Sequence, residues 1–174
     1  LIGEDWSKLL EEYIPKFVNA RNELEYKLTT LSLIARIHDT HANIWGSDNT
    51  LSEFRGLRYA PLEVTFIENK AIVTDYFNRE SGEKTGLKIG DAIESIDNKT
   101  VEDLVKELLP LTPASNYPTQ LRDIARSLLR TNKYDLSITY LRGKERVSSR
   151  VQTFGTDQVN IYAKHTKRDT CFKV

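Results

Sequence analysis

The apolar residues of this chain change period near residue 60, and that change demands two kinds of structure from one polypeptide. Before it, Trp6, Leu9, Leu10, Tyr13, Ile14 and Phe17 recur at the spacing of one buried helix face. Asp5 is placed to cap that helix. Pro15 has no N–H and crowds the preceding turn, which predicts a kink or break there. A second helix is predicted from about Glu23, with Leu24, Leu28, Leu31, Ile34 and Ile37 spaced to pack on the first. The short connection favours a helical hairpin, which is too small to fold without a neighbour. His38 to Ser47 is polar and ends the helical pattern, and Asp48-Asn49-Thr50 reads as the start of a short helix through Leu51 and Phe54.

From Leu62 the period changes to two. Leu62, Val64 and Phe66 alternate with Glu63, Thr65 and Ile67, Glu68-Asn69-Lys70 turns the chain, and Ala71 to Phe77 returns as a second strand. Asn78 to Thr85 is a polar loop ending in a helical turn. Gly86 suits a left-handed helix C-cap and Gly90 a turn with positive φ. Ile93 and Ile96 break strict alternation, which predicts a bulge or bend in their strand before Asp97-Asn98-Lys99 turns. Thr100 opens an amphipathic helix with Val101, Leu104, Val105 and Leu108 inward. Asn116 and Pro118 open another, carrying Leu121, Ile124, Leu128 and Leu129. Leu136 to Arg142, a Gly143-Lys144 turn and Glu145 to Thr153 add two more strands. The fold class predicted is α+β: an N-terminal helical hairpin, then a partly open β-barrel with two or more helices.

Composition excludes several roles. Lys and Arg number 25 and so do Asp and Glu, for zero net charge over 174 residues. That argues against a nucleic-acid partner, which needs net or clustered positive charge to neutralise phosphates. No stretch approaches the roughly 20 apolar residues that span a bilayer. The single cysteine, Cys171, rules out an internal disulfide framework; it lies in strand-like alternation and reads as an inert thiol. The absence of methionine and the start at Leu1 predict a processed product or an excised piece of a longer chain.

The run Gly86-Leu87-Lys88-Ile89-Gly90-Asp91-Ala92-Ile93-Glu94-Ser95-Ile96-Asp97-Asn98-Lys99-Thr100-Val101 resembles the segment of bacterial PDZ domains in which an apolar turn, Gly-Asp and a strand precede the peptide-facing helix. With helices in front of it, the chain is similar to the front part of the tail-specific and tricorn-core serine peptidases. The resemblance implies a helical segment at 1–54, a PDZ-like domain at 55–153, and at 154–174 a linker and the first strand of a peptidase core. In that tail Asn160-Ile161-Tyr162 and Cys171-Phe172-Lys173-Val174 look like the approach to the core. It also implies a bacterial protein of the periplasm or cell surface.

In the tail-specific branch a lysine activates the serine, and both lie downstream of the PDZ domain. In the tricorn-like branch a histidine of the helical front segment is the general base, following a small hydroxyl residue just past a helix. Thr40-His41 fits that placement, which makes His41 the candidate base and Thr40 its neighbour, where the family usually has serine. Imidazole titrates near neutrality and can take and return a proton within one acyl-transfer cycle. Ser81, Ser115, Ser148 and Ser149 lack a nucleophile-elbow context, so the nucleophile is expected outside this chain and the chain alone is expected to be inactive. Asp39 orients His41 only if the loop folds it back.

A PDZ groove takes a chain terminus as an added strand and holds its carboxylate with backbone N–H groups. The corresponding loop falls at Leu57-Arg58-Tyr59-Ala60-Pro61-Leu62, where the expected glycine is missing and Pro61 offers no N–H. Arg58 could pair with the carboxylate instead. Leu62 and Val64 are placed on the docking strand and Val101, Leu104 and Val105 on the facing helix, for weak, apolar-selective binding of a peptide or unfolded protein. His38 and His41 could share a metal with Asp39 or Asp48, but without a third fixed ligand they read as capping or surface residues, and no metal or cofactor is expected. Asn98-Lys99-Thr100 matches a glycosylation sequon by chance, and Lys164 to Arg168 reads as a solvated linker. The alternative function is a stand-alone PDZ-type binding module without catalysis.

Overall fold

The computed structural model describes residues 4–44 and 48–159, so the expectations for Asn160-Ile161-Tyr162, Lys164 to Arg168, Cys171 and the last strand lie outside the described residues. In chain order the first elements are α1 (Trp6–Val18), α2 (Glu23–Ala35), α3 (Asn49–Arg55), β1 (Arg58–Tyr59), β2 (Leu62–Ile67), β3 (Lys70–Tyr76) and α4 (Arg79–Glu83). There follow β4 (Ala92–Ile96), β5 (Lys99–Thr100), α5 (Val101–Leu108), the 3-10 turn Leu109–Leu111, and α6 (Tyr117–Leu128). The last are β6 (Arg130–Thr131), β7 (Asp135–Arg142), β8 (Glu145–Gln152) and β9 (Phe154–Gly155). The fold is α+β, with an unclosed sheet that fits a partly open barrel.

The contacts divide the chain into two compact units. The helical unit runs up to Arg55 and takes in Thr100–Leu128; the sheet unit holds Gly56–Lys99 and, among the described residues, 129–159. Helices α5 and α6 are therefore compact with the front helices, and the 3-10 turn between them packs on α2.

In the helical unit each start has its cap. Asp5 accepts from the Ser7 N–H, Asn22 from Glu25, Asp48 from Leu51, Thr100 from Asp103 and Asn116 from Thr119. Leu9 and Tyr13 carry the buried face of α1, and Leu31 and Ala35 that of α2. The Tyr13 hydroxyl meets Ser32 Oγ at 2.8 Å, satisfying a buried polar group across the two helices. Lys27 of α2 pairs with Asp48 at 2.6 Å and ties the start of α3 to α2. Two expectations are corrected. Helix α1 runs through Pro15 to Val18, so of the kink or break expected there the break is absent; Glu11, whose carbonyl Pro15 leaves without a donor, is an exposed residue that water can reach. Leu10 and Ile14 are exposed, 45% and 56%, so the buried stripe of α1 is narrower than its apolar stripe.

In the sheet unit five strands run in the order β2-β3-β4-β7-β8, with short β5 paired to β4. Neighbours along this order are all antiparallel. The β2–β3 turn has φ of +50° at Glu68 and +61° at Asn69, and the turn after β4 has +49° at Asp97 and +66° at Asn98. Both are the two-residue turns whose twist matches paired strands. The bulge expected from the spacing of Ile93 and Ile96 is present: the β4–β7 register shifts between Ile93 and Ser95. A second sheet, β6-β1-β9, was not visible in the sequence.

The run 86–91 is held by charge. Gly86 and Gly90 take φ of +81° and +97°, as expected, and fold the chain so that Asp91 turns inward to 3% exposure. Its carboxylate accepts the Lys88 N–H at 2.7 Å and both Arg142 donors, Nε at 3.0 Å and Nη2 at 2.7 Å. The same Nη2 also donates to the Gly86 carbonyl at 2.7 Å. Backbone bonds from Val73 N–H to the Asp91 carbonyl and from Gly90 N–H to the Val73 carbonyl lock the turn onto β3. Burial by itself would push the Asp91 carboxyl up, but the Arg142 and Lys88 hydrogen bonds outweigh it and hold the group below the usual carboxylate range.

Losing one partner of a buried pair costs roughly 3–5 kcal/mol. Here Arg142 is 35% exposed and water recovers part of that. Asp91→Asn is expected to lower unfolding free energy by about 2 kcal/mol in denaturant titrations at neutral pH. A depressed carboxylate contributes above its unfolded pKa of about 4 and loses its contribution as pH falls through the folded value, so the gap between wild type and Asp91→Asn should close below about pH 4.

Candidate functional site

The candidate base stands on the turn that follows α2. The last helical carbonyls are taken by Arg36, Ile37 and His38 N–H groups, and His38 then adopts φ of +55°, which ends the helix. This folds Asp39 back toward His41. The His41 backbone N–H donates to Asp39 Oδ1 at 2.9 Å, and His41 Nδ1 lies 3.0 Å from the same oxygen. The Asp39 carbonyl accepts from Ala42, closing the turn. The His41 backbone N–H and then its ring hold the Asp39 carboxyl below the usual carboxylate range. The His41 side chain is 95% exposed, and Thr40 between them is half-buried. The contact that adjacency alone could not guarantee is therefore made.

His38 faces another way. Its Nε2 is 3.8 Å from Glu4 Oε1, and Glu4 is itself bound by Arg36. The two histidines thus have separate acidic partners, and among the described residues no group of three or more His, Cys, Asp or Glu is placed to hold a metal ion. The helical unit also carries an open cleft of about 450 Å³ with Tyr13, Arg36, His38, Pro110, Tyr117 and Gln120 in its walls. His41 is not among them.

The residues expected to cradle a peptide carboxylate form the centre of the small sheet. Arg58 and Tyr59 are β1, paired with β6 on one side and β9 on the other. The Leu57 N–H donates to Asn132 Oδ1 at 3.0 Å and the Ala60 N–H to the Leu129 carbonyl at 3.1 Å. Arg58 donates through Nε to Thr153 Oγ1 at 3.0 Å and through Nη2 to the Thr153 carbonyl, and its guanidinium lies 4.3 Å from the centre of the Tyr134 ring. A carboxylate would have to compete with those contacts. Nothing in the sequence pointed to Thr153 or Tyr134, since Arg58 and Thr153 are 95 residues apart.

Leu62 and Val64 are buried on β2, which among the described residues pairs with β3 and stands at the end of the strand order. Val101 and Val105 are buried on α5 and Leu104 is half-buried. The two strand residues belong to the sheet unit and the three helix residues to the helical unit.

The sequence matches no family model and no curated protein. Among solved structures the fold is similar to the crystal structure of mature CPAF, with a TM-score of 0.61 at 15% identity over 87% of this chain and 29% of that one. An alignment to the photosystem II D1 C-terminal processing protease has a TM-score of 0.40 at 16% identity over 87% of this chain and 38% of that one. At these identities the likeness to CPAF is one of fold. The chain spans well under half the length of either.

Proposed function

We propose that this chain is the front part of a serine-type endopeptidase of the tail-specific and tricorn-like kind. In it His41 serves as general base to a serine carried by polypeptide outside these 174 residues. The observation that carries the reading is the place of His41: an imidazole on an exposed turn directly after a helix of the front segment, as the tricorn-like arrangement requires. The fold shared with mature CPAF supports it. Nε2, the ring nitrogen that Asp39 does not engage, would take the serine proton and return it to the leaving amine. In the protein that includes the serine, His41→Ala is expected to lower kcat by roughly 100- to 10,000-fold with little change in KM. The 174-residue chain alone is expected to turn over no fluorogenic peptide. Turnover by the chain alone, or full activity of His41→Ala, would contradict the assignment.

The sheet unit would supply substrate docking. A peptide or unfolded segment adds by backbone hydrogen bonds beside β2, which stands at the end of the strand order among the described residues. The carboxylate cradle at residues 57–62 is weaker than the sequence suggests, because the Leu57 and Ala60 N–H groups and the Arg58 guanidinium are engaged internally. Labelled peptides with free and amidated C-termini are therefore expected to bind within about threefold of each other, well under the tenfold that 1.4 kcal/mol would bring. A tenfold preference for the free acid would instead place Arg58 on the carboxylate. The alternative, a binding module without catalysis, shares this docking prediction and departs on His41.

A further inference from the structure

The bond between Asp39 and His41 does more than close a turn. Both His41 donors converge on one carboxylate oxygen, the backbone N–H at 2.9 Å and ring Nδ1 at 3.0 Å. A carboxylate only accepts hydrogen bonds, so a neutral ring at that distance must carry its proton on Nδ1. The lone pair is then left on Nε2, and which nitrogen bears the proton is set by what the other ring nitrogen contacts. We infer that Asp39 is a positioning residue that fixes the tautomer and ring orientation of His41, presenting Nε2 as the proton acceptor. The inference deepens the peptidase reading and rests on it for its consequence, though not for its geometry.

The residue type suits the task. Asp39 and His41 are two apart, which is the reach at which an Asp side chain closes a turn on its own backbone. The same oxygen that accepts from the backbone N–H also meets the ring, so the imidazole is oriented close to the end of α2. The low Asp39 carboxyl keeps the acceptor ionised through the range in which a histidine base operates. Thr40 lies between the two and contributes no carboxylate of its own.

The test is the protonation pattern of the His41 ring in the 174-residue chain, read from its imidazole nitrogen resonances at a pH where the ring is neutral. The wild type is expected to show the proton mainly on Nδ1. Asp39→Asn keeps a side-chain acceptor for the backbone N–H but can also present an amide N–H to the ring, and is expected to move the proton to Nε2. Asp39→Ser also keeps an oxygen for the turn while removing the carboxylate, and is expected to lose the Nδ1 preference with backbone shifts outside residues 38–42 unchanged. A wild-type ring protonated mainly on Nε2, or the same pattern in all three proteins, would overturn the inference. Whether His41 is a base is read separately, by His41→Ala in the protein that includes the serine. A fixed tautomer with undiminished hydrolysis in His41→Ala would sink the assignment of His41 as base and leave the role of Asp39 standing.

Discussion

A single buried carboxylate organises the sheet unit. Asp91 is 3% exposed, and an ionised group there is tolerated only if its hydrogen-bond sites are filled. Arg142 and the Lys88 N–H fill them, and in doing so they fix where β3, β4 and β7 stand relative to the 86–91 turn. Because Arg142 also donates to the Gly86 carbonyl, the turn is clamped at both ends. The Gly90-Asp91 pair is thus structural in its chemistry. Its carboxylate is committed to the protein's own arginine.

Local rules carried much of the architecture. The two-residue turns at Glu68-Asn69 and Asp97-Asn98, the caps at Asp5, Thr100 and Asn116, and the bulge in β4 each depend on residues within a few positions of one another, and each was readable. The small sheet was not. Strands of two residues, such as β1 and β6, carry no period, and their pairing joins Arg58 to Thr131 and Gly155 across most of the chain. Helix α1 shows the opposite failure. Its apolar positions are periodic, but periodicity says which residues share a face and not how much of that face is covered, and Ile14 is left 56% exposed. At Pro15, where a kink or break was expected, the helix does not break, and the residue whose carbonyl loses its donor, Glu11, is exposed to water.

The candidate site divides the same way. His41 and Asp39 could be singled out from the sequence because both lie on one turn, and their contact is a matter of local backbone geometry. The fate of Arg58 could not, because its partners Thr153 and Tyr134 come from the far end of the sheet unit. The proposed function accordingly rests most heavily on the local element: an exposed imidazole with a carboxylate behind Nδ1, on a fold shared with mature CPAF. That arrangement has the parts needed to move a proton, and it needs a nucleophile to move it from.

The central claim is that His41 activates a serine outside residues 1–174. The most direct measurement is covalent labelling of the protein that includes the proposed serine with a fluorophosphonate probe, with the modified residue located by mass spectrometry. One labelled serine beyond Val174 is expected, with a labelling rate that collapses in His41→Ala. Labelling of a serine within the 174 residues, or an unchanged rate in His41→Ala, would contradict it.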